Sequence, residues 1–266
     1  MHISALAIYP VKSLGPVALE QAEITPSGLG GDRRWMIVDE LGRFVTRREL
    51  PLLARIGISL DESGFRLSAP GGEALLPATS ADGALVPVTV WRDTVAAYVV
   101  ENDASRLISH IAGRTLRLAY MPEEAVRPVD PKYAHAGETV SFADAFPVLV
   151  ATEDSLAALN ATLEVPVEMA RFRPNIVLSG TKKAWVERGW SALETGNVRL
   201  RLPKACIRCI VITQQSETGE RCEGNAVPKA LRRLGQFGPH GALFGMNAVP
   251  ERAGLVAVGG AVSASG

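Results

Sequence analysis

Two cysteines, Cys206 and Cys209, lie three positions apart and enclose Ile207 and Arg208. The thiolate, not the neutral thiol, is the form of cysteine that attacks electrophiles and binds metals. A free thiol has a pKa of about 8.5, so it is mostly neutral at pH 7, and a neighbouring cation such as Arg208 favours the reactive anion. The segment therefore predicts a site at which a thiolate binds or attacks another group.

The cysteine pair allows four interpretations. A thioredoxin-type dithiol normally opens a helix, whereas the β-branched residues of Ile210–Thr213 predict a strand directly after Cys209. A structural zinc site would recruit Cys222 and His240, although such sites usually combine two ligand pairs. Two half-buried cysteines at a strand edge would have no chemistry of their own. Finally, a thiolate flanked by cations suits a soft metal that is carried by an anionic cofactor.

Cations also stand at the ends of other predicted strands, where the loops of a rigid scaffold present functional groups. These residues are Lys12 with its neighbour Ser13, Arg33, and Arg173 with Asn175. Thr152 begins a predicted helix, and the N-terminus of a helix favours bound anions. Together, these residues predict a cradle for a phosphorylated ligand.

The elements that must position these residues are mostly short strands. Segments such as Ile3–Ile8 and Trp35–Val38 are apolar and are bounded by turn residues. Only three short segments predict helices, and they begin near Asn102, Thr152 and Asn225. The pattern predicts an α+β chain dominated by β-structure, with its strands in a barrel or a sandwich.

Composition excludes several classes of protein. The chain has 266 residues, of which 47% are hydrophobic, and 28 basic residues balance 28 acidic ones. This apolar fraction excludes intrinsic disorder, and the balanced charge argues against a general nucleic-acid binder. No apolar run approaches the length of a signal peptide or a membrane span, and three cysteines do not form a secreted disulfide framework. We therefore expect a cytoplasmic protein with neither membrane nor nucleic-acid partners.

Seven segments, in this order, resemble the MOSC family, which is named after the C-terminal domain of molybdenum cofactor sulfurase. The resemblance is closest to the branch of the mitochondrial amidoxime-reducing components and their bacterial relatives, and it covers nearly the whole chain. The segments are YPVKS (9–13), GDRRW (31–35), VSFADAFPVL (140–149), ATEDSLAALN (151–160), RFRPNIV (171–177), the C-x-R-C of 206–209, and LFGMN (243–247).

The resemblance implies a fold, a cofactor and a set of binding residues. A β-barrel-like N-terminal domain (residues 1–118) would pack on a MOSC β-barrel domain (residues 119–266), with a few short helices. The two would enclose a molybdenum cofactor, with Cys209 as the protein ligand of the metal and the catalytic residue; pyridoxal phosphate is not expected. The residues implied to hold the cofactor are Lys12, Ser13, Arg33, Thr152, Arg173, Asn175, Ile207, Arg208 and Asn247.

The implied activity is the reduction of small N-hydroxylated compounds, such as amidoximes, hydroxylamines and N-hydroxylated bases. A separate ferredoxin, flavoprotein or cytochrome b5 type protein would supply the electrons, because three cysteines cannot provide the four thiolates of an iron–sulfur cluster. No acid is identified as the proton donor, and Asp144 is interpreted as a turn or cap residue. The alternative function is to bind and deliver the cofactor, or to carry sulfur on Cys209, without turnover.

Overall fold

The computed structural model describes residues 1–221 and 223–266. Its strands are β1 (His2–Ile8), β2 (Val17–Leu19), β3 (Gln21–Thr25), β4 (Gly28–Leu29), β5 (Trp35–Val38), β6 (Gly57–Asp61), β7 (Gly64–Ala69), β8 (Gly72–Pro77), β9 (Ala84–Val90), β10 (Asp93–Val100), β11 (Arg117–Tyr120), β12 (Val148–Thr152), β13 (Ile176–Ser179), β14 (Ala192–Thr195), β15 (Val198–Ile207), β16 (Phe237–Gly238), β17 (Gly241–Arg252), β18 (Gly254–Ala257) and β19 (Ser263–Ser265). The α-helices of the described residues are α1 (Asp103–Ala112), α2 (Glu153–Asn160) and α3 (Ala226–Arg233). Short 3₁₀ helices cover Pro51–Arg55, Met169–Phe172, Val186–Gly189 and Ile210–Thr213. The predicted fold class, α+β with mostly β-structure, is confirmed.

The largest sheet joins strands from both ends of the chain. Its order is β19-β14-β15-β17-β12-β13-β1-β2, and β16 pairs with β17. Only β12 and β13 are parallel; the other neighbouring strands of the described sheet are antiparallel. Because Leu6 of β1 pairs with Ile176 of β13, the end of β1 lies beside the start of β13. This register brings the Lys12 loop close to Arg173.

A four-stranded sheet, β5-β11-β10-β9, meets the large sheet just beyond β1. The backbone N–H of Lys12 donates to the carbonyl of Trp35 (2.8 Å), and the N–H of Trp35 donates to that of Pro10 (3.0 Å). Arg33, immediately before β5, is thereby held beside the end of β1. Two three-stranded sheets, β18-β3-β4 and β6-β7-β8, complete the described strands.

The main hydrophobic core spans the chain rather than one half of it. Ile3, Trp35, Leu67, Val150 and Met246 all belong to a single cluster of buried side chains. The domain boundary predicted between residues 118 and 119 falls inside β11. The division into two domains stays a prediction.

All three predicted helices are present. Asn102 caps α1 through a reciprocal pair of hydrogen bonds with Ser105, and Gly113 ends it in the left-handed conformation. Thr152 caps α2, whereas the side chain of Asn225 makes no capping bond at the start of α3. Within the described residues, no helix combines the length and apolarity that are needed to cross a membrane.

Candidate functional site

The cysteine loop leaves the sheet at the end of β15. Ile207 pairs with Leu243 of β17, and the N–H of Arg208 still donates to the carbonyl of Ala242 (2.8 Å). Cys209 then precedes the 3₁₀ helix Ile210–Thr213. The strand predicted over these four residues is wrong, although all of them favour β-structure. Local bonds replace the strand pairing, since Thr213 Oγ1 donates to the carbonyl of Ile210 (2.7 Å).

The two cysteines have different surroundings. Arg208 donates one hydrogen bond to Cys206 Sγ (2.9 Å) and another to the carbonyl of Phe172 (2.8 Å). Both cysteines are half-buried, carry free thiols and line one cavity. The arginine between the two cysteines therefore hydrogen-bonds to Cys206 and not to Cys209, which leaves the Cys209 thiol available in the cavity.

Most of the predicted site residues line this cavity, which has a volume of about 290 Å³. Its lining includes Lys12, Ser13, Arg33, Arg173, Asn175, Ile207, Arg208, Cys209 and Asn247, all of which were predicted from the sequence. Four cations had been expected there, but the lining contains seven, because Arg47, Arg48 and Lys204 join them. Among the described residues of the lining, Asp144 is the only carboxylate. The cavity is thus suited to an anion.

Two of the arginines stack on one buried tyrosine. The guanidinium carbons of Arg33 and Arg173 lie 4.3 Å and 4.1 Å from the centre of the Tyr9 ring. Both arginines adopt left-handed backbone conformations, with φ of 48° and 55°. Burial, together with the neighbouring Arg33, lowers the pKa of Arg173 to about 9. A lowered pKa means that the positive charge of Arg173 is incompletely compensated, so a bound anion would stabilise it.

Asn175 lines the cavity, but its side chain is already engaged. Its Oδ1 accepts hydrogen bonds from Arg33 Nη1 and from the N–H of Leu149 (3.1 Å each), and its Nδ2 donates to the carbonyl of Ala7 (3.1 Å). Asn175 is 1% exposed. Its amide therefore ties β1 and β12 to the loop before β13 and positions Arg33.

Lys12, Arg48 and Asp144 form a charged network in the cavity wall. Lys12 Nζ lies 2.5 Å from one Asp144 oxygen and 2.7 Å from the carbonyl of Phe142, and Arg48 Nη2 lies 2.6 Å from the other Asp144 oxygen. Burial lowers the pKa of Lys12 to about 8, although Asp144 opposes this change. The surrounding protein disfavours the charge of Asp144, but Lys12 and Arg48 outweigh this and hold its pKa far below the usual range. Asp144 is therefore ionised at neutral pH.

Arg48 is one of the functional candidates that sequence reasoning missed. Its guanidinium stacks on Trp91 (4.6 Å) while it pairs with Asp144. Burial alone would lower the pKa of Arg48, but Asp144 and the neighbouring Cys209 side chain outweigh burial and raise that pKa. Arg48 thus supplies a cation to Cys209 from a loop 161 positions away. The two consecutive arginines, Arg47 and Arg48, were the available signal in the sequence.

Arg47 and Arg208 each have a hydrogen-bond donor without a partner, and a bound anionic cofactor would supply that partner. The Nε group of each is buried and has no hydrogen-bond partner among the described residues. An unpaired buried donor costs about 1–3 kcal/mol, which oxygen atoms of a phosphate group would offset. Cys209 provides a soft ligand in the same cavity. These donors therefore fit a cofactor that carries both a phosphate and a thiolate-binding metal.

The structure does not bring Thr152 to this cavity. Its side chain is fully buried at the start of α2, where Ser155 and Glu187 surround it. Ser155 Oγ donates to one oxygen of the Glu187 carboxylate (2.7 Å), and Thr152 Oγ1 to the other (3.4 Å). The N-terminal end of α2 does face a carboxyl group, but that group is Glu187 of the protein itself, and burial raises its pKa.

The zinc interpretation gains no support from the described residues. No group of three or more His, Cys, Asp or Glu side chains within 1–221 and 223–266 is arranged to hold a metal ion. Cys222, which the zinc interpretation requires as a third ligand, lies outside the described residues.

Comparison with known proteins identifies the family. Residues 1–115 match the MOSC N-terminal beta barrel domain and residues 137–263 match the MOSC domain. The chain belongs to the MOSC family. It is 31% identical to human mitochondrial amidoxime-reducing component 1, over 97% of this chain and 81% of that protein. It is also 31% identical to rat mitochondrial amidoxime reducing component 2, over the same shares of the two chains.

Proposed function

We propose that this MOSC protein is an oxidoreductase that uses a molybdenum cofactor to reduce small N-hydroxylated compounds. One observation carries the proposal most directly: the free Cys209 lies in a cavity lined by seven cations. The similarity to amidoxime-reducing components in human and rat supports the reductive direction. When bound, the molybdenum cofactor would supply the two-electron redox chemistry, in which the N–O bond is cleaved and water is released.

The protein's own residues would hold and orient the cofactor. Arg33 and Arg173, fixed against Tyr9, would bind its phosphate together with Arg208 and Lys12. Cys209 would be the ligand of the metal, and Ser13, Ile207 and Asn247 would complete the cavity wall. Asn175 would act by positioning Arg33.

Asp144 would act as an anchor and not as a proton donor. Lys12 and Arg48 hold its carboxylate in the ionised state, so it has no proton to give at neutral pH. Its fixed negative charge would instead keep both cations oriented around the cavity.

The decisive experiment measures the metal content of wild type, Cys209→Ser and Cys206→Ser after expression with molybdate in a host that makes the cofactor. We expect about one molybdenum per chain in wild type and in Cys206→Ser, and a reduced content in Cys209→Ser. Reduction of benzamidoxime with reduced methyl viologen should follow the same order. Stoichiometric zinc without molybdenum would refute the proposal. Full loading without reduction of any N-hydroxylated compound would indicate the carrier function.

A further inference from the structure

A second depression lies against the cysteine loop and is here called the α3 groove. It has a volume of about 390 Å³. Its lining includes Ile210, Lys229, Arg232 and Phe237. Arg208 and Cys209 line both this groove and the cation-lined cavity. The cysteine loop is therefore the wall between the two.

The α3 groove has a positive edge. Lys229 and Arg232 stand one helical turn apart on α3, and both are exposed. The guanidinium of Arg232 is fixed over the Phe237 ring at 3.6 Å. None of the lining residues, all of which the structure describes, is acidic. Since the whole chain has no net charge, these cations form a local excess that attracts an anionic surface.

Apolar side chains also line the α3 groove. Ile210, next to Cys209, is 39% exposed, and Phe237 is half-buried against Arg232. Apolar side chains beside exposed cations are a usual composition of a protein interface. The groove is also more open to solvent than the cation-lined cavity, and an open surface suits a protein partner better than a small ligand.

We propose that the α3 groove docks an acidic one-electron carrier protein, which passes electrons to the centre at Cys209. This proposal rests on the proposed function. Conversion of R–NHOH to R–NH₂ and water consumes two electrons and two protons, so the carrier must dock, transfer one electron and leave twice in each turnover. Electrostatic attraction supports such brief encounters because it accelerates association without making the complex long-lived.

The test combines charge reversal with two electron donors. The double variant Lys229→Glu/Arg232→Glu reverses the edge of the groove, and Lys183→Glu/Arg106→Glu makes the same change in net charge at exposed positions outside it. With a reduced plant-type [2Fe–2S] ferredoxin as donor, we expect the groove variant to lose at least about ten-fold in kcat/KM for the ferredoxin. We expect both variants to keep wild-type activity with reduced methyl viologen.

Binding provides a readout that does not require turnover. Calorimetric titration should show that ferredoxin binds wild type and the control variant more tightly at 50 mM than at 300 mM NaCl, and that the groove variant loses this dependence. The docking proposal is overturned if both variants lose ferredoxin-driven activity equally. It is also overturned if ferredoxin, flavodoxin and cytochrome b5 all fail while viologen drives the reaction. If the groove variant loses viologen-driven activity, the groove binds the substrate and not the carrier protein, and the docking proposal is overturned. If wild type itself shows no activity with viologen, the proposed function is refuted.

Discussion

At the level of single residues, the cavity combines cations that are held by aromatic rings with cations that are held by one carboxylate. Arg33 and Arg173 stack on Tyr9, Arg48 stacks on Trp91, and Asp144 pairs with both Lys12 and Arg48. About half of the Asp144 side chain is open to the cavity, so solvent screens its ion pairs in part. The cations are fixed in place without being neutralised.

The first prediction concerns the effect of removing Arg48 on activity. In Arg48→Ala, Cys209 loses its neighbouring cation, whereas Asp144 keeps its pair with Lys12. Loss of a hydrogen bond to a charged group costs about 1.5–3 kcal/mol, so we expect viologen-driven kcat/KM to fall roughly 10- to 100-fold. Arg48→Lys, which keeps the charge but not the planar fork, should give an intermediate value. Wild-type activity in Arg48→Ala would show that Arg48 serves only to fix Asp144.

The second prediction concerns Lys12 and the pH dependence of the free energy of unfolding. Its pKa is about 8 in the folded protein and 10.5 in an unfolded chain, so between these values the unfolded chain binds the extra proton. The buried charge therefore destabilises the folded protein below pH 8, and this cost disappears as the pH rises to 10.5. From pH 7 to pH 10.5, wild type should gain up to about 3 kcal/mol in free energy of unfolding relative to Lys12→Met. Urea unfolding of both proteins across this pH range measures the difference. If the free energies of unfolding of the two proteins change with pH in the same way, the lowered pKa of Lys12 is contradicted.

At the level of elements, the long strand β17 shapes the cavity wall through one glycine. Gly245 has φ of 73°, and a Cβ built there would lie 2.6 Å from the carbonyl oxygen of Val150. The next residue, Met246, pairs with Val150, and Asn247 follows in the cavity wall. The left-handed conformation allows β17 to pass close to β12 at this point.

Gly245→Ala should therefore be strongly destabilising. The new methyl group meets a backbone atom that cannot move aside, and the residue is strained by its positive φ, so we expect a loss of about 2 kcal/mol or more in free energy of unfolding. Gly189→Ala is the matched control, because nothing lies within 4 Å of its Cβ position and its φ is not in the left-handed region. The control should change the free energy of unfolding by less than about 0.5 kcal/mol in the same urea experiment. Equal effects of the two substitutions would contradict this account of Gly245.

Local sequence patterns predicted most helices and strands, but they failed where contacts between distant residues determine the structure. Asn102 and Thr152 cap helices as their types indicate. The 3₁₀ helix at Ile210–Thr213 departs from strand propensity because the backbone pairing with β17 ends at Arg208, and local hydrogen bonds replace it. Likewise, Arg48 approaches Cys209 only through the tertiary fold, and Glu187 reaches the start of α2 from 32 positions beyond Ser155. Secondary-structure propensity depends on neighbouring residues in the sequence, so it carries no information about either contact.

At the level of the whole molecule, both halves of the chain build the site and the sheet beneath it. Lys12, Arg33 and Arg48 come from the first 118 residues, whereas Arg173 and Cys209 come from the remainder. β1 and β2 occupy one end of the large sheet, next to β13. The two predicted domains share a sheet and a core in this way, so we expect each to depend on the other for stability.

The fragment 119–266 tests this dependence and the predicted domain boundary together. Without residues 1–118, β13 becomes an unpaired edge, β11 is cut, and buried partners such as Val150 and Met246 lose the side chains of Ile3 and Trp35 that share their core. We therefore expect the fragment to lack cooperative thermal unfolding by circular dichroism, and co-expression with 1–118 to restore it. A fragment that unfolds cooperatively by itself would show that residues 119–266 form an independent domain. In that case, the first half would serve mainly to bring Lys12, Arg33 and Arg48 to Cys209.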